Sequence, residues 1–235
     1  MKNAILASTS TLHGQHYLEY LLPEIKNLYK GASEVIFIPF ARPGGISLDE
    51  YTKKAGDAFK MANIDLKGIH EFEDPEGAIK NAKGIFTGGG NTFLLVSELY
   101  RKKLMQPLRE AIFSGAAYLG TSAGTNITGL TMQTTNDMPI VYPPSFKTLG
   151  IVPFNINPHY LDPDKNSTHK GETRETRIKE FHSINSQPVA GLREGSWLEI
   201  AGDKITLKGS LSARIFEKDK LPYEIETNSA LTDLN

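Results

Sequence analysis

The chain of 235 residues contains no cysteine. It can therefore form no disulfide and no cysteine-ligated metal site, and any catalysis must use hydroxyl, carboxylate, imidazole or amine groups. Long apolar runs are also lacking, and the apolar stretch over residues 4–7 is too short to be the core of a signal peptide. We therefore expect a soluble, cytoplasmic protein.

An excess of either charge is lacking as well, since 26 Lys and Arg residues stand against 27 Asp and Glu residues. The formal net charge of -1 supplies no broad cationic field, so neither nucleic acid nor a membrane is expected as a partner. No internal repeat or linker is evident, which favours one domain over residues 1–235. Whether that domain acts as a monomer or a homodimer stays open.

The first half of the chain alternates short apolar segments with segments of helical periodicity. This alternation is typical of a parallel sheet that helices cover on both faces. The predicted strands are 4–8, 35–40, 64–69, 84–87 and 117–120. The predicted helices are 17–28, 75–82, 91–100, one through 111, and one that begins at a capping box of Ser47 and Glu50.

Ligands of such sheets bind beyond the carboxyl ends of the strands. The loops 8–14, 41–46, 87–91 and 120–124 should therefore form one rim. The second half is less regular, with predicted strands at 149–154, 189–192, 198–200, 205–207 and 213–216 and a helix at 173–185. The last three strands are expected to be antiparallel, and they either extend the sheet or form a small hairpin layer on it.

The strongest motif follows the predicted strand 117–120, where residues 120–124 read Gly-Thr-Ser-Ala-Gly. In this pattern a tight strand-to-helix turn exposes the hydroxyl of the central serine, and the small neighbours relieve crowding. Ser122 is therefore the candidate nucleophile. The N–H of Ala123, at the start of the helical segment, is the candidate donor to an oxyanion.

A second glycine-rich turn spans residues 87–91, which read Thr-Gly-Gly-Gly-Asn. Gly89 or Gly90 could supply a further oxyanion donor, because glycine lets the backbone approach a ligand closely. The motif does not match nucleotide-binding loops. A dinucleotide fingerprint requires glycine where Phe93 stands, and a P-loop requires a Gly-Lys-Ser/Thr ending.

A general base for Ser122 should lie on the same rim. His159 has the best local context, because it follows Asn157-Pro158 just beyond the predicted strand 149–154. His13, after the first strand, is the reserve candidate, whereas His169 and His182 lie in contexts that favour structural roles.

Two acids qualify to orient that base. Glu194 lies in a turn directly after the short strand 189–192, and Asp137 lies in the segment 134–139. The order of the residues along the chain does not decide between them, because unrelated folds use different orders. We favour Glu194 and keep Asp137 as a close second, which could instead bind a substrate amine or organise the loop near Ser122.

Four segments together carry a resemblance to a known family. They are Gly-Gly-Gly-Asn-Thr-Phe at 88–93, Gly-Thr-Ser-Ala-Gly-Thr-Asn at 120–126, Asn-Pro-His-Tyr at 157–160 and Gly-Leu-Arg-Glu-Gly-Ser at 191–196. With them the chain resembles the peptidase E family, the α-aspartyl dipeptidases of the serine-peptidase group that also includes cyanophycinase. The resemblance extends over essentially the whole chain.

The resemblance implies an α/β fold. This is a three-layer αβα sandwich with a mostly parallel sheet, related to the class I glutamine amidotransferases, and here it would carry a small antiparallel hairpin region at the C-terminus. It also implies that Ser122 is the nucleophile and His159 the base. For the acid, the family has been described with Glu at the place of Glu194 and with Asp at the place of Asp137, so the choice stays open.

Peptidase E-type members hydrolyse Asp-X dipeptides with a free N-terminal Asp, so a small peptide is the implied partner, and no metal or other cofactor is required. Arg174 matches the family's substrate-binding position, and Asn91 is a second candidate for substrate binding. Arg174 and Arg177 could instead pair with acids along a solvated helix face. The alternatives are another aspartyl substrate, β-aspartyl or cyanophycin-like, or a non-catalytic module that binds an acidic metabolite.

Overall fold

The computed structural model describes residues 1–164 and 171–234, and within them the chain alternates strands and helices. The strands are β1 Asn3–Ala7, β2 Glu34–Ile38, β3 Asp65–Gly68, β4 Gly84–Thr87, β5 Ala117–Thr121, β6 Asn155–Pro158, β7 Val189–Leu192, β8 Ser196–Ala201, β9 Lys204–Gly209, β10 Ala213–Phe216 and β11 Tyr223–Ile225. The helices are α1 Leu22–Leu28, α2 Leu48–Lys60, α3 Pro75–Asn81, α4 Thr92–Arg101, α5 Met105–Ser114, α6 Ala123–Asn126 and α7 Arg174–Ile184.

Seven strands form the main sheet, in the order β3-β2-β4-β5-β1-β8-β9. The first five are parallel, and β8 and β9 extend the sheet in antiparallel fashion beyond β1. The predicted mostly parallel sheet is confirmed. The carboxyl ends of β1, β4 and β5 therefore lie at one edge, as the predicted rim requires.

Helices cover both faces of the main sheet. Successive side chains of each strand point to opposite faces, so each strand contributes to two cores. In β2, Ile36 and Ile38 join the core that contains α4 and α5, whereas Val35 and Phe37 join the core that contains α1 and α2. This is the predicted three-layer αβα arrangement. No helix within residues 1–164 and 171–234 has the length and apolar character to cross a bilayer.

A second sheet has the order β11-β10-β7-β6 and is mostly antiparallel, with only β6 and β7 parallel. Helix α7 packs on it through Ile178, which joins Tyr160, Val189 and Phe216 in a small apolar cluster. The sequence left two arrangements open for the C-terminal strands. The hairpin of β8 and β9 extends the main sheet, as the first alternative has it, whereas β10 pairs with β7 and β11 in the second sheet.

The predicted strand over 149–154 is wrong, and the strand in this region is β6, which begins at Asn155. Gly150 has a φ of +58°, and the amides of Leu149 and Ile151 donate to carbonyls of Ile127 and Thr128 instead of to a neighbouring strand. The apolar side chains are nevertheless buried in the core. A short apolar run does not by itself distinguish a strand from a buried loop.

The helix predicted over 17–28 is shorter than expected. Leu18 has a φ of 60°, a single 3-10 turn covers Glu19–Leu21, and α1 begins only at Leu22. The predicted capping box at the start of α2 is present, because the amide of Glu50 donates to Ser47 Oγ and the amide of Ser47 donates to the Glu50 carboxylate.

Candidate active site

Ser122 lies on a sharp turn between β5 and α6. Its φ of 54° and ψ of -111° are rare for a residue with a side chain, so the surrounding contacts must hold the turn. The amide of Ser122 donates to the carbonyl of Ala7 at 3.1 Å, and the amides of Thr125 and Asn126 donate to the carbonyl of Ser122. The predicted strand–turn–helix is thus present, with its serine at the carboxyl edge of the main sheet.

The two glycines that flank this serine are required by close packing of the backbone. A Cβ on Gly120 would lie 2.5 Å from the carbonyl oxygen of Gly124, and a Cβ on Gly124 would lie 2.2 Å from that of Thr87. These positions tolerate no side chain without a shift of the backbone. The Gly-x-Ser-x-Gly pattern therefore follows from how tightly β4, β5 and α6 approach one another.

His159 follows β6 directly, and its Nε2 lies 2.8 Å from Ser122 Oγ. Its own φ is 53°, so both members of this pair have a backbone conformation that is costly for a residue with a side chain. The reserve candidate His13 is exposed in the loop after β1, and the structure gives it no hydrogen bond to Ser122. His182 is buried and its Nε2 lies 2.9 Å from the carbonyl of Gln187, while His169 lies outside the described residues.

Glu194, in the turn between β7 and β8, meets the other nitrogen of this imidazole. Its Oε1 lies 2.6 Å from His159 Nδ1. With the ring proton on Nδ1, the imidazole donates to Glu194 and accepts the hydroxyl hydrogen of Ser122. The side chains of His159 and Glu194 are 37% and 50% exposed, so the array opens to solvent, as a site for a diffusing substrate must.

Asp137 lies elsewhere, at the N-terminus of α4. Its Oδ2 accepts hydrogen bonds from the Thr92 amide at 2.7 Å, from Thr92 Oγ1 at 2.6 Å and from Thr135 Oγ1 at 2.9 Å. A carboxylate at this end of a helix is favoured by the helix dipole. Of the two acids that the sequence offered, Glu194 contacts the imidazole, and Asp137 organises the loop beside α4.

The glycine-rich turn after β4 lies against the serine turn. A Cβ on Gly89 would lie 2.9 Å from Ser122 Cβ, and a Cβ on Gly90, whose φ is +143°, would lie 2.2 Å from the carbonyl oxygen of Ala41. The hydroxyl of Tyr51, buried beneath the turn, donates to the carbonyl of Gly89 at 3.1 Å. The two glycine turns thus share one rim, as predicted.

Asn91 ends this turn and caps α4. Its Oδ1 accepts from the amide of Leu94 at 3.0 Å, and its Nδ2 donates to the carbonyl of Met138 at 2.8 Å. Both ends of the side-chain amide are therefore engaged in structural hydrogen bonds. A side-chain amide can form up to four hydrogen bonds, and two of those of Asn91 are in use. The predicted substrate-binding role of Asn91 therefore depends on the other two.

Arg174 begins α7 and is half-buried. Burial lowers the pKa of its guanidinium, nearby Arg177 lowers it further, and Asp137 opposes both. Within residues 1–164 and 171–234 Arg174 forms no ion pair, whereas Arg177 lies 3.8 Å from Glu172 on an exposed face. Arg174 lines a cleft with Leu161 and Arg177, and the acids Asp162, Asp164 and Glu172 line the same cleft.

Sequence reasoning missed two residues that support the site. Ser8 and Tyr51 are buried, and their hydroxyls bond to the backbone of the segments that carry His159 and Gly89. The position of Ser8 directly after β1, on the predicted rim, was the one available signal for it. Tyr51 lies within a regular helix, and nothing in its neighbours along the chain marks it.

No three or more His, Asp or Glu side chains form a group that could hold a metal ion within the part of the chain that the structure describes.

Comparison with known proteins identifies the family. Residues 4–208 match the model of peptidase family S51. The chain is 48% identical over 232 residues to peptidase E of Streptomyces coelicolor, covering 99% of this chain and 94% of that one. It is 44% identical over 236 residues to the probable alpha-aspartyl dipeptidase of Drosophila melanogaster, covering 99% and 97%.

Two solved structures share the fold. A putative peptidase E protein from Listeria monocytogenes superposes with a TM-score of 0.67 at 23% identity, covering 90% of this chain and all of that one. A peptidase from an acI-B1 actinobacterium superposes with a TM-score of 0.71 at 18% identity, covering 98% and 96%. At these identities the similarity concerns the fold alone, but the family match and the full-length relatives go further: this chain belongs to peptidase family S51.

Proposed function

We propose that the protein is a serine-type dipeptidase that hydrolyses α-aspartyl dipeptides, Asp-X with a free N-terminal Asp, through an acyl-enzyme on Ser122. The observation that carries the proposal is the array in which Ser122 Oγ, the His159 imidazole and the Glu194 carboxylate are joined at 2.8 and 2.6 Å. The names of the relatives, peptidase E and alpha-aspartyl dipeptidase, support the choice of substrate.

The reaction begins when His159 Nε2 takes the hydroxyl proton of Ser122 and Oγ attacks the carbonyl carbon of the N-terminal Asp. The tetrahedral intermediate collapses as His159 returns the proton to the leaving amine, and the C–N bond breaks. Water, deprotonated by His159, then attacks the ester, and Ser122 leaves with the proton. Glu194 keeps the imidazole in the required tautomer and stabilises its charged form.

The oxyanion of the intermediate needs fixed donors close to Ser122. The N–H of Ala123 at the start of α6 is one candidate. The second is the N–H of Gly89 or Gly90, in the turn packed against the serine. The hydrogen bond from Tyr51 to the carbonyl of Gly89 limits rotation of that turn, which supports a preformed donor.

Recognition of the aspartyl substrate requires a cation for its β-carboxylate. Arg174 suits this role because it is half-buried and its guanidinium can form two parallel hydrogen bonds with a carboxylate. Asn91, at the end of the glycine-rich turn, lies on the same rim and could contact the peptide backbone.

The alternatives are less well supported. A non-catalytic module for an acidic metabolite would require neither the strained serine turn nor the hydrogen-bonded array. A β-aspartyl or cyanophycin-like substrate would use the same groups, but the full-length relatives bear the names of dipeptidases. Cytoplasmic location, a single domain and a monomeric or homodimeric state remain predictions.

Hydrolysis of a small peptide panel tests the proposal. We expect wild-type protein to cleave Asp-Leu, and to cleave Glu-Leu, Asn-Leu, N-acetyl-Asp-Leu and β-Asp-Leu far more slowly, measured as released leucine. Glu-Leu has a longer side chain, Asn-Leu a neutral one, N-acetyl-Asp-Leu a blocked amine and β-Asp-Leu a shifted peptide bond, so each peptide disturbs one expected contact. Cleavage of β-Asp-Leu or of aspartyl polymers in preference to Asp-Leu would contradict the proposed substrate.

Replacement of Arg174 by glutamine should weaken selection of the aspartyl side chain. A charge-assisted hydrogen bond contributes about 1.5–3 kcal/mol, so we expect kcat/KM for Asp-Leu to fall roughly 10- to 100-fold, mainly through KM. The ratio of kcat/KM for Asp-Leu to kcat/KM for Asn-Leu should fall at the same time.

The matched control is Arg101→Gln, at the end of α4, where the arginine is exposed and pairs with Glu98. This variant should retain kcat/KM for Asp-Leu within about twofold, because exposed ion pairs contribute little. Equal losses in the two variants, or an unchanged preference for Asp-Leu over Asn-Leu in Arg174→Gln, would exclude Arg174 as the residue that recognises the side chain.

A further inference from the structure

The groups of the array lie on two different sheets. Ser122 follows β5 of the main sheet, whereas His159 follows β6 and Glu194 follows β7, both of the second sheet. A separation of 2.8 Å between Ser122 Oγ and His159 Nε2 therefore depends on how the two sheets are joined near this point. An error of about 1 Å between reacting groups can cost about 100-fold in rate.

Ser8 makes that junction. It is the first residue after β1, it is completely buried, and its own amide donates to the carbonyl of Ser196 in the main sheet. Its hydroxyl donates to the carbonyl of Leu192 at 2.7 Å and accepts from the amide of His159 at 2.9 Å. One side chain of the main sheet thus bonds to both segments of the second sheet that carry the array.

The nucleophile is anchored next to the same residue. The carbonyl of Ala7 accepts from the amide of Ser122 at 3.1 Å, and it also accepts from Thr125 Oγ1 at 2.6 Å. Ser122 and His159 are therefore attached, through their backbone amides, to the consecutive residues Ala7 and Ser8. Because Ala7 and Ser8 are adjacent in the chain, these two hydrogen bonds set the distance between the nucleophile Ser122 and the base His159.

The hydroxyl of Ser8 supplies a hydrogen-bond acceptor that strand pairing does not provide. The parallel ladder between β6 and β7 ends where Pro158 pairs with Leu192, and the φ of 53° turns His159 away from it. The carbonyl of Leu192 still accepts from Tyr160, but within the described residues the amide of His159 finds its acceptor in Ser8. The hydroxyl donates to the carbonyl of Leu192 and accepts from the amide of His159 through a single oxygen atom.

Another link between the sheets lies farther from the reacting groups. Asn126, at the end of α6, donates through Nδ2 to the carbonyl of Ile156 at 2.8 Å. Ile156 is three residues before His159, and the strained turn of His159 lies beyond it. The bond of Asn126 can therefore hold the sheets together while leaving the imidazole free to shift.

We propose that Ser8 is a positioning residue, whose buried hydroxyl sets the place of His159 relative to Ser122 by joining the two sheets at the site. The inference rests on the proposed function, because it assigns Ser8 to the reaction of the Ser122–His159 pair. Ser8 contacts neither substrate nor the reacting atoms, and it acts through the backbone of His159.

The test begins with Ser8→Ala. Loss of the hydroxyl leaves the amide of His159 without its acceptor, so the imidazole should sample positions away from Ser122. We expect kcat for Asp-Leu to fall about 10- to 100-fold while KM stays within about twofold, since substrate contacts are untouched.

Ser196→Ala is the matched control. Ser196 is also a completely buried serine, and its hydroxyl also donates to a carbonyl, that of Leu211 at 2.8 Å. It makes no side-chain hydrogen bond to His159 or Leu192. We expect Ser196→Ala to lower Tm less than Ser8→Ala does, because it loses one buried hydrogen bond whereas Ser8→Ala loses two. It should retain kcat within about twofold.

A spectroscopic measurement separates this inference from the proposed substrate. The proton on His159 Nδ1, bonded to Glu194, should give a downfield NMR signal in the unliganded protein, assigned by its absence in His159→Asn. Ser8→Ala should shift or broaden that signal, and Ser196→Ala should not. If wild type cleaves no Asp-X peptide but the signal behaves in this way, the proposed substrate fails and the positioning role stands.

Two results would overturn the positioning role. One is an equal fall of kcat in Ser8→Ala and Ser196→Ala, which would assign the effect to general stability. The other is an unchanged His159 signal in Ser8→Ala. A supporting result is strong non-additivity of Ser8→Ala with Glu194→Gln, because both substitutions disturb the same imidazole.

Discussion

Replacement of Ser122 by alanine is expected to lower kcat for Asp-Leu by roughly 10⁴- to 10⁶-fold, because the acyl-enzyme cannot form without the hydroxyl. The fold should survive, since the backbone bonds of the turn come from the amides of Ser122, Thr125 and Asn126 and not from Oγ. Alanine must still adopt the φ of 54°, as serine does. Steady-state hydrolysis and circular dichroism measure the two effects.

The control for this variant is Ser186→Ala, an exposed serine in the segment between α7 and β7. It should match the wild type in both rate and Tm. Turnover of Asp-Leu by Ser122→Ala within tenfold of the wild type would remove Ser122 as the nucleophile. The proposed mechanism would then fail, and the strained turn would need another explanation.

Replacement of Glu194 by glutamine should have the second largest effect. The carboxylate accepts the Nδ1 proton of His159 and balances the charge of the imidazolium, and glutamine removes that charge and permits the wrong tautomer. We expect kcat to fall roughly 10²- to 10⁴-fold with little change in KM. The kinetics of Asp-Leu hydrolysis across pH provide the measurement.

Asp137→Asn is the matched comparison, because it makes the same chemical change in the competing acid. Asp137 receives three hydrogen bonds from Thr92 and Thr135 at the start of α4, so this variant should lose about 1 kcal/mol of stability, as other helix caps do. Its loss of kcat should be smaller than that of Glu194→Gln. The reverse order would assign the orienting role to Asp137.

Many local features of this protein could be predicted from its sequence. The strands 84–87 and 189–192 have the predicted bounds, and the capping box of Ser47 and Glu50 begins α2 as predicted. These features depend on contacts within a few residues, which sequence patterns encode directly. The apolar run 149–154 was predicted wrongly, because burial alone does not reveal whether a segment pairs with a strand.

The choice between the two acids could not be made along the chain. Asp137 precedes His159 in the sequence and Glu194 follows it. Their positions along the chain do not show which of the two is close to His159 in the folded protein. The parallel pairing of β6 with β7 decides the matter, since it brings Leu192 beside Pro158 and so places the next turn, with Glu194, against the imidazole. Asp137 is drawn instead to the amide of Thr92.

The sequence by itself determined the alternating α/β architecture, the turn that exposes Ser122 and the identity of the family, because each is written in local patterns or in motifs of adjacent residues. The tertiary structure alone decided which carboxylate meets His159, and it revealed that Ser8 joins the two sheets at that point. These contacts link residues 35 and 151 positions apart. Such distances are closed by sheet pairing and burial, which no motif of adjacent residues encodes.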